Sequence, residues 1–205
     1  MITQRCDGTV TGAGCFTAAV STIIDDSDDI APDALSVLRR DHRLAEELFA
    51  EFGRSAPQQL DPLARRICKM LRVHAQIEEE LFYPAVSRAL TSEDRRLVDH
   101  AQVEHQQARE AIVRIESMTS EDPSFRNEVD LLDRRVAQHV ASEEQELFPK
   151  VSASSLDLTA LGIALAERRD TLLDVLGLHG DDEEGAANQR ETRPDDRGAT
   201  RPESG

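Results

Sequence analysis

Apolar positions recur in four long stretches of this chain at alternating steps of three and four, the stripe of an amphipathic helix. The first stripe is Leu35, Leu38, His42, Ala45, Phe49 and Phe52, and the second is Leu63, Ile67, Met70, His74, Ile77 with Glu78, Leu81 and Ala85. Leu97, Ala101, Glu104, Ala108, Ile112 and Ile115 form the third, and Val129, Leu132, Val136, His139, Glu143 and Leu147 the fourth, which is expected to stop near Pro149. Breakers separate them: "GRSAPQQLDP", with Asp61 as a helix N-cap and Pro62 at the first helical position, then "LTSED" and "MTSEDPS". Four helices of about twenty residues with short connections predict an all-α, up-down-up-down four-helix bundle.

The flanks read differently. Residues 1–32 are rich in Thr, Gly and Asp without sustained periodicity and are expected to be mostly irregular. The bundle is assigned to 33–152. An additional C-terminal amphipathic helix is expected within 153–178, from about Leu158 to Val175, with Gly177 as the glycine just past its end. It would cap the bundle or mediate self-association. Residues 179–205 are polar, charged and broken by Gly and Pro, the composition of a disordered acidic tail.

Charge narrows the partners. A net charge of −16 offers no basic stripe for nucleic acid and is repelled by anionic membranes, and no apolar run approaches a membrane span. Cys6, Cys15 and Cys68 form no CxxC pair and leave an odd thiol, so no disulfide framework is expected. "GAGC" ending at Cys15 has Gly12 where a lipoprotein cleavage site needs a larger aliphatic residue, and the expected location is cytoplasmic. With few aromatics and no Trp, the core must come from Leu, Val, Ile and Ala.

Two segments repeat one phrase. "HAQIEEELFYPAV" begins at His74 and "HVASEEQELFPKV" at His139; each histidine is followed by Glu at +4 and +5, Pro at +10 and Val at +12. His42, His74 and His139 occupy stripe positions where Leu would cost nothing. A buried polar group without a partner costs on the order of 1–3 kcal/mol, so something specific must offset it. Residues i and i+4 share a helix face about 6 Å apart along the axis. His74 with Glu78, and His139 with Glu143, each present a nitrogen and a carboxylate in one direction. The second and fourth helices of such a bundle run parallel, so the two phrases face each other at similar depth as half-sites of one metal centre. Nitrogen and oxygen donors without thiolate suit iron or manganese better than structural zinc, and two inward carboxylates suit a bridged pair of ions. The Glu-x-x-His signature of ferritin-like sites is absent from the sequence. On the third helix, His100 and His105 lie to either side of the stripe; depth favours His105 if the second helix continues past Pro84, and His100 if it stops there.

The order His42, His74-x3-Glu78, "EH" at Glu104–His105 and His139-x3-Glu143, with the "LFYP" and "LFP" endings, resembles the hemerythrin-like (HHE cation-binding) proteins over residues 34–151. The resemblance implies a non-haem di-iron centre inside the bundle. His42, His74, His105 and His139 would be its terminal nitrogen ligands, and Glu78 and Glu143 its bridges. Oxygen-carrying members have a second histidine one turn earlier on the third helix and an Asp five residues after the last histidine. Here those places hold Ala101 and Glu144. One iron is thus a histidine short, which speaks against reversible oxygen carriage. Tyr83 is a candidate for the missing donor; solvent or substrate is the alternative. The expected function is handling of O2, peroxide or nitric oxide in oxidative or nitrosative stress, with a catalase-like activity as its enzymatic form and an iron or oxygen sensor or carrier as the alternative.

Overall fold

The computed structural model describes residues 33–176. The expectations for residues 1–32, Gly177 and residues 179–205 lie outside the described residues. Within them every regular element is helical. α1 is Ala34–Arg54, a short 3-10 turn Pro57–Gln59 follows, and α2 is Leu60–Ile77. A π turn, Glu78–Phe82, leads into α3, Tyr83–Ala89; α4 is Arg95–Glu116. α5, Phe125–Ser142, runs through a second π turn, Glu143–Leu147, into α6, Phe148–Ser152, and α7 is Leu158–Leu176. α2 with α3, and α5 with α6, each make one long bundle helix. With α1 and α4 they form the expected up-down-up-down bundle, α1 packing on α2, α2 on α4, α4 on α5 and α5 on α1. α7 lies against α1 and α2.

Asp33 starts α1 by accepting hydrogen bonds from the backbone N–H of Leu35 and Ser36 at 2.9 and 3.1 Å. Asp61 does not cap α2. The helix begins at Leu60, inside the preceding 3-10 turn, and the Asp61 carboxylate instead accepts from the Ser120 backbone N–H (3.1 Å) and hydroxyl, tethering the α4–α5 connection. The fourth helix stops at Ser152, near Pro149, but neither phrase proline itself ends its helix. In each copy the backbone loosens into a π turn that starts at the phrase's first glutamate, and the proline falls in the opening turn of the helix that resumes. There its missing N–H is tolerated.

The π turn also moves the inward face by one residue. Leu81 is therefore only partly buried, while Phe82 and Tyr83 are fully enclosed. On α4, which has no π turn, Val98 rather than Leu97 leads the buried face. The hydrophobic core forms two clusters. One includes Leu38, Ile77, Phe82, Val86, Phe148 and Leu165; the other includes Phe49, Phe52, Ile67, Ile112, Phe125 and Leu132. Each fully buried Leu- or Phe-sized side chain contributes about 1.5–3 kcal/mol, so packing rather than helix propensity holds the bundle together. Cys68 belongs to the second cluster as a small core residue.

Candidate metal centre

Each bundle helix breaks its apolar stripe at one level with a histidine: His42 between Leu38 and Ala45, His74 between Leu71 and Ile77, His105 between Ala101 and Ala108, His139 between Val136 and Leu147. Among the described residues seven polar or charged side chains are buried: Asp41, His42, His74, Glu78, His105, His139 and Glu143. All belong to this layer between the two clusters. The helix-forming stripes place them there, and the π turns set the two glutamates at the point where the backbone widens, a placement common at functional sites.

Glu78 Oε2 lies 3.2 Å from Nε2 of His74 and 3.2 Å from Nε2 of His105. Glu143 Oε2 lies 3.4 Å from Nε2 of His42 and 3.5 Å from Nε2 of His139. Donor atoms of His42, His74, Glu78 and Glu143 fall within 4.8 Å of one another, and so do those of Glu78, His105 and His139. Glu78 is common to both groups. Nε2 of His42 and of His74, Oε1 of Glu78 and Oε2 of Glu143 have no hydrogen-bond partner although fully buried. Unsatisfied buried groups cost about 1–3 kcal/mol each, and cations at the focus of these atoms would satisfy them together. The donor set therefore fits a metal.

His105 is in the layer and His100 is not. Continuation of α2 through Pro84 into α3 puts the layer at the level of His105, and His100 is 58% exposed, 3.5 Å from Glu104. Tyr83 is enclosed with the donors. Its hydroxyl donates to Glu143 Oε1 at 2.8 Å and lies 3.3 Å from His105 Nε2. At the same place in the other phrase, Phe148 stacks on His42 at 5.8 Å and 9°.

A second set of carboxylates holds the outer side of the histidine rings. Glu144 meets Nδ1 of His42 at 2.8 Å, Glu79 meets that of His105 at 3.0 Å, and Glu104 meets that of His139 at 3.1 Å. Asp41 stands 3.7 Å from Nδ1 of His74. These contacts run α1 to α2, α2 to α4, α4 to α5 and α5 to α1, closing a ring in which every helix both gives and receives. Carboxylates so placed fix the ring orientation and raise the basicity of Nε2. Glu79 and Glu144 each follow directly on a phrase's first glutamate, Glu78 and Glu143. Asp41 and Glu104 were not foreseen in the orienting role, although "DH" at 41–42 and "EH" at 104–105 put an acid directly before each histidine. Arg109 pairs with Glu79, and Arg169 of α7 lies 2.8 Å from Asp41 Oδ1.

Electrostatics divides the metal-free layer. Burial opposes charge on His42, but Glu143, Glu78 and Glu144 outweigh it and raise the imidazole to about 9. Burial dominates at His74 and lowers it to about 4. Glu78 is pushed well above the carboxylate range by burial and by Glu143. For Glu143 the histidines overcome burial and bring it down to about 2. Burial and both carboxylates raise the Tyr83 phenol. Near neutral pH a cation would therefore compete with the proton on His42.

A cavity of about 330 Å³ reaches this layer, with Ala45, Met70, Ile112 and Val136 among its apolar walls and Arg72, Arg109 and Arg135 among its polar lining. No described helix is long and apolar enough to cross a membrane.

The sequence profile of the hemerythrin HHE cation binding domain matches residues 33–151. A DNA nickase of Nostoc sp. is similar over 139 residues at 31% identity, covering 66% of this chain and 38% of the nickase. The chain thus spans well under half the length of that relative. The crystal structure of a hemerythrin HHE cation binding domain-containing protein from Mycobacterium kansasii shares the fold, with a TM-score of 0.62 and 21% identity, covering 73% of this chain and 94% of that one.

Proposed function

From the premise that the chain belongs to the hemerythrin HHE cation-binding domain family, we propose that its buried layer holds two non-haem iron ions and serves to handle O2, peroxide or nitric oxide. His42 and His74 would serve one ion, His105 and His139 the other, with Glu78 and Glu143 between them. The observation that carries this reading is Glu78, whose carboxylate belongs to both donor groups. Iron would supply redox and Lewis-acid chemistry toward small oxygen and nitrogen species.

The chain's own residues support that use. The carboxylate ring holds the imidazoles ready, the two apolar clusters limit water on either side, and the cavity gives a small ligand room to approach. The Tyr83 hydroxyl, 2.8 Å from Glu143 Oε1, donates its proton to that hydrogen bond. Its hydroxyl is the candidate for the donor that Ala101 leaves missing, or for delivering a proton beside the ions. Disproportionation of two peroxides to O2 and two waters balances without an external reductant, which makes a catalase-like activity the preferred enzymatic form.

The assay is metal content and oxygen evolution. Iron-loaded protein is expected to hold about two ions per chain and to release O2 from added peroxide, with both lost in Glu78→Ala. Loading without turnover would leave the second reading, a sensor or carrier, which the contact of α7 with Asp41 favours. Strand nicking is not carried over from the Nostoc relative, because a net charge of −16 disfavours a phosphate backbone. Supercoiled plasmid is expected to survive incubation intact. We place the protein in the cytoplasm.

A further inference from the structure

The histidine–carboxylate ring is uneven. Three of its carboxylates are at hydrogen-bonding distance from Nδ1, at 2.8–3.1 Å, whereas Asp41 stands off from His74 at 3.7 Å. Asp41 alone of the four is fully buried, and α7 reaches it through Arg169. Arg169 Nε sits 2.8 Å from its Oδ1, without the alignment of a hydrogen bond, and the arginine is itself largely buried. Nδ1 of His74 is left without a hydrogen-bond partner. The neighbouring Arg168 also ties α7 to the bundle, but through Glu80 at 2.7 Å on the exposed surface, away from the layer.

Resting on the metal-centre reading above, we infer that α7 is a working part of the centre: Arg169 is a positioning residue that shares Asp41 with His74 and so sets how strongly His74 donates. A carboxylate on the outer nitrogen of a ligand imidazole increases its basicity, and a guanidinium on the same carboxylate withdraws part of that effect. α7 docked through Arg169 therefore tempers one ion's histidine and leaves the other ion's untouched. The coupling is reciprocal by linkage: a helix that changes metal affinity must itself be held differently when metal binds.

The test uses the full chain loaded with ferrous iron and reoxidised, in four forms: native, Arg169→Gln, Arg169→Lys and Arg168→Gln. Arg169→Gln is expected to shift the visible absorption of the centre and to change the affinity for one of the two ions about tenfold, the scale of such outer contacts. Arg169→Lys should restore most of both, and Arg168→Gln should match the native protein. Hydrogen exchange of the native chain, metal-free against loaded, supplies the reverse reading: residues 158–176 should differ in protection. If the native chain loads iron but its α7 exchange is the same in both states, the inference is overturned, even if Arg169→Gln fails to fold. Arg169→Gln and Arg168→Gln altering the spectrum equally would also overturn it, since loosened docking would then suffice. A native chain that takes up no iron defeats the underlying reading as well.

Discussion

The segments beginning at His74 and His139 follow one backbone course but bring different aromatic rings to the layer. Both place a histidine in the last turn of a helix, open a π turn at a glutamate and resume around a proline. Nine residues past the histidine, the first has Tyr83 and the second Phe148. The phenol reaches across the layer to the other segment's Glu143, whereas Phe148 covers His42 with hydrocarbon. Duplicated backbone geometry thus makes the cradle, and the phenol on one side adds a polar contact that the other side lacks.

Removing a shared carboxylate should break the comparison most severely. Glu78→Ala or Glu143→Ala is expected to reduce iron from about two ions per chain to fewer than one by elemental analysis.

Next comes pH. His42, raised to about 9 from 6.5, contributes stability fully present below pH 6.5 and lost as pH rises to 9. Cys68, raised by burial to about 12 from 9.0, continues the decline from pH 9 upward. His74 is neutral in both states above pH 6.5 and adds no slope there. The metal-free protein should therefore unfold at steadily lower denaturant from pH 6.5 upward, and iron should flatten the part below 9 by replacing the His42 proton.

The outer carboxylates sharpen the contrast between segments. Glu144→Gln is expected to weaken iron binding roughly 10–100-fold, and Glu79→Gln less, because Arg109 already takes part of the Glu79 charge. Competitive chelation measures both. Tyr83→Phe puts the same ring nine residues past each histidine and strips Glu143 Oε1 of its donor, at a cost of about 1–3 kcal/mol in the metal-free fold by denaturant titration. A charge-transfer band lost in this variant would mark the phenolate as a ligand. The smallest effect belongs to His100→Gln, expected within about 0.5 kcal/mol of native stability and with unchanged iron content.

The layer was legible because histidine and glutamate stand where a helical stripe calls for leucine, and because the repeated phrase fixed their depth. The π turns were not. An extra residue in a helix leaves no mark in composition, so the stripe points Leu81 inward where Phe82 and Tyr83 are the enclosed residues. Asp61 has a helix-cap signature, yet docking of the α4–α5 connection gives its carboxylate a better use. Glu104 stands at a position of the apolar stripe, but its side chain reaches sideways to His139. Asp41 and Arg169 are 128 positions apart, and only the packing of α7 reveals that they meet.

The closed circuit of acids and imidazoles restricts how such a bundle can be altered by exchange. Grafting any single helix from a relative would import a histidine whose supporting acid stays behind on the adjoining segment, together with an acid meant for a different ring. The smallest portable unit is therefore the junction between neighbouring helices, and chimeras cut along those junctions should keep their coordination chemistry where whole-helix swaps lose it.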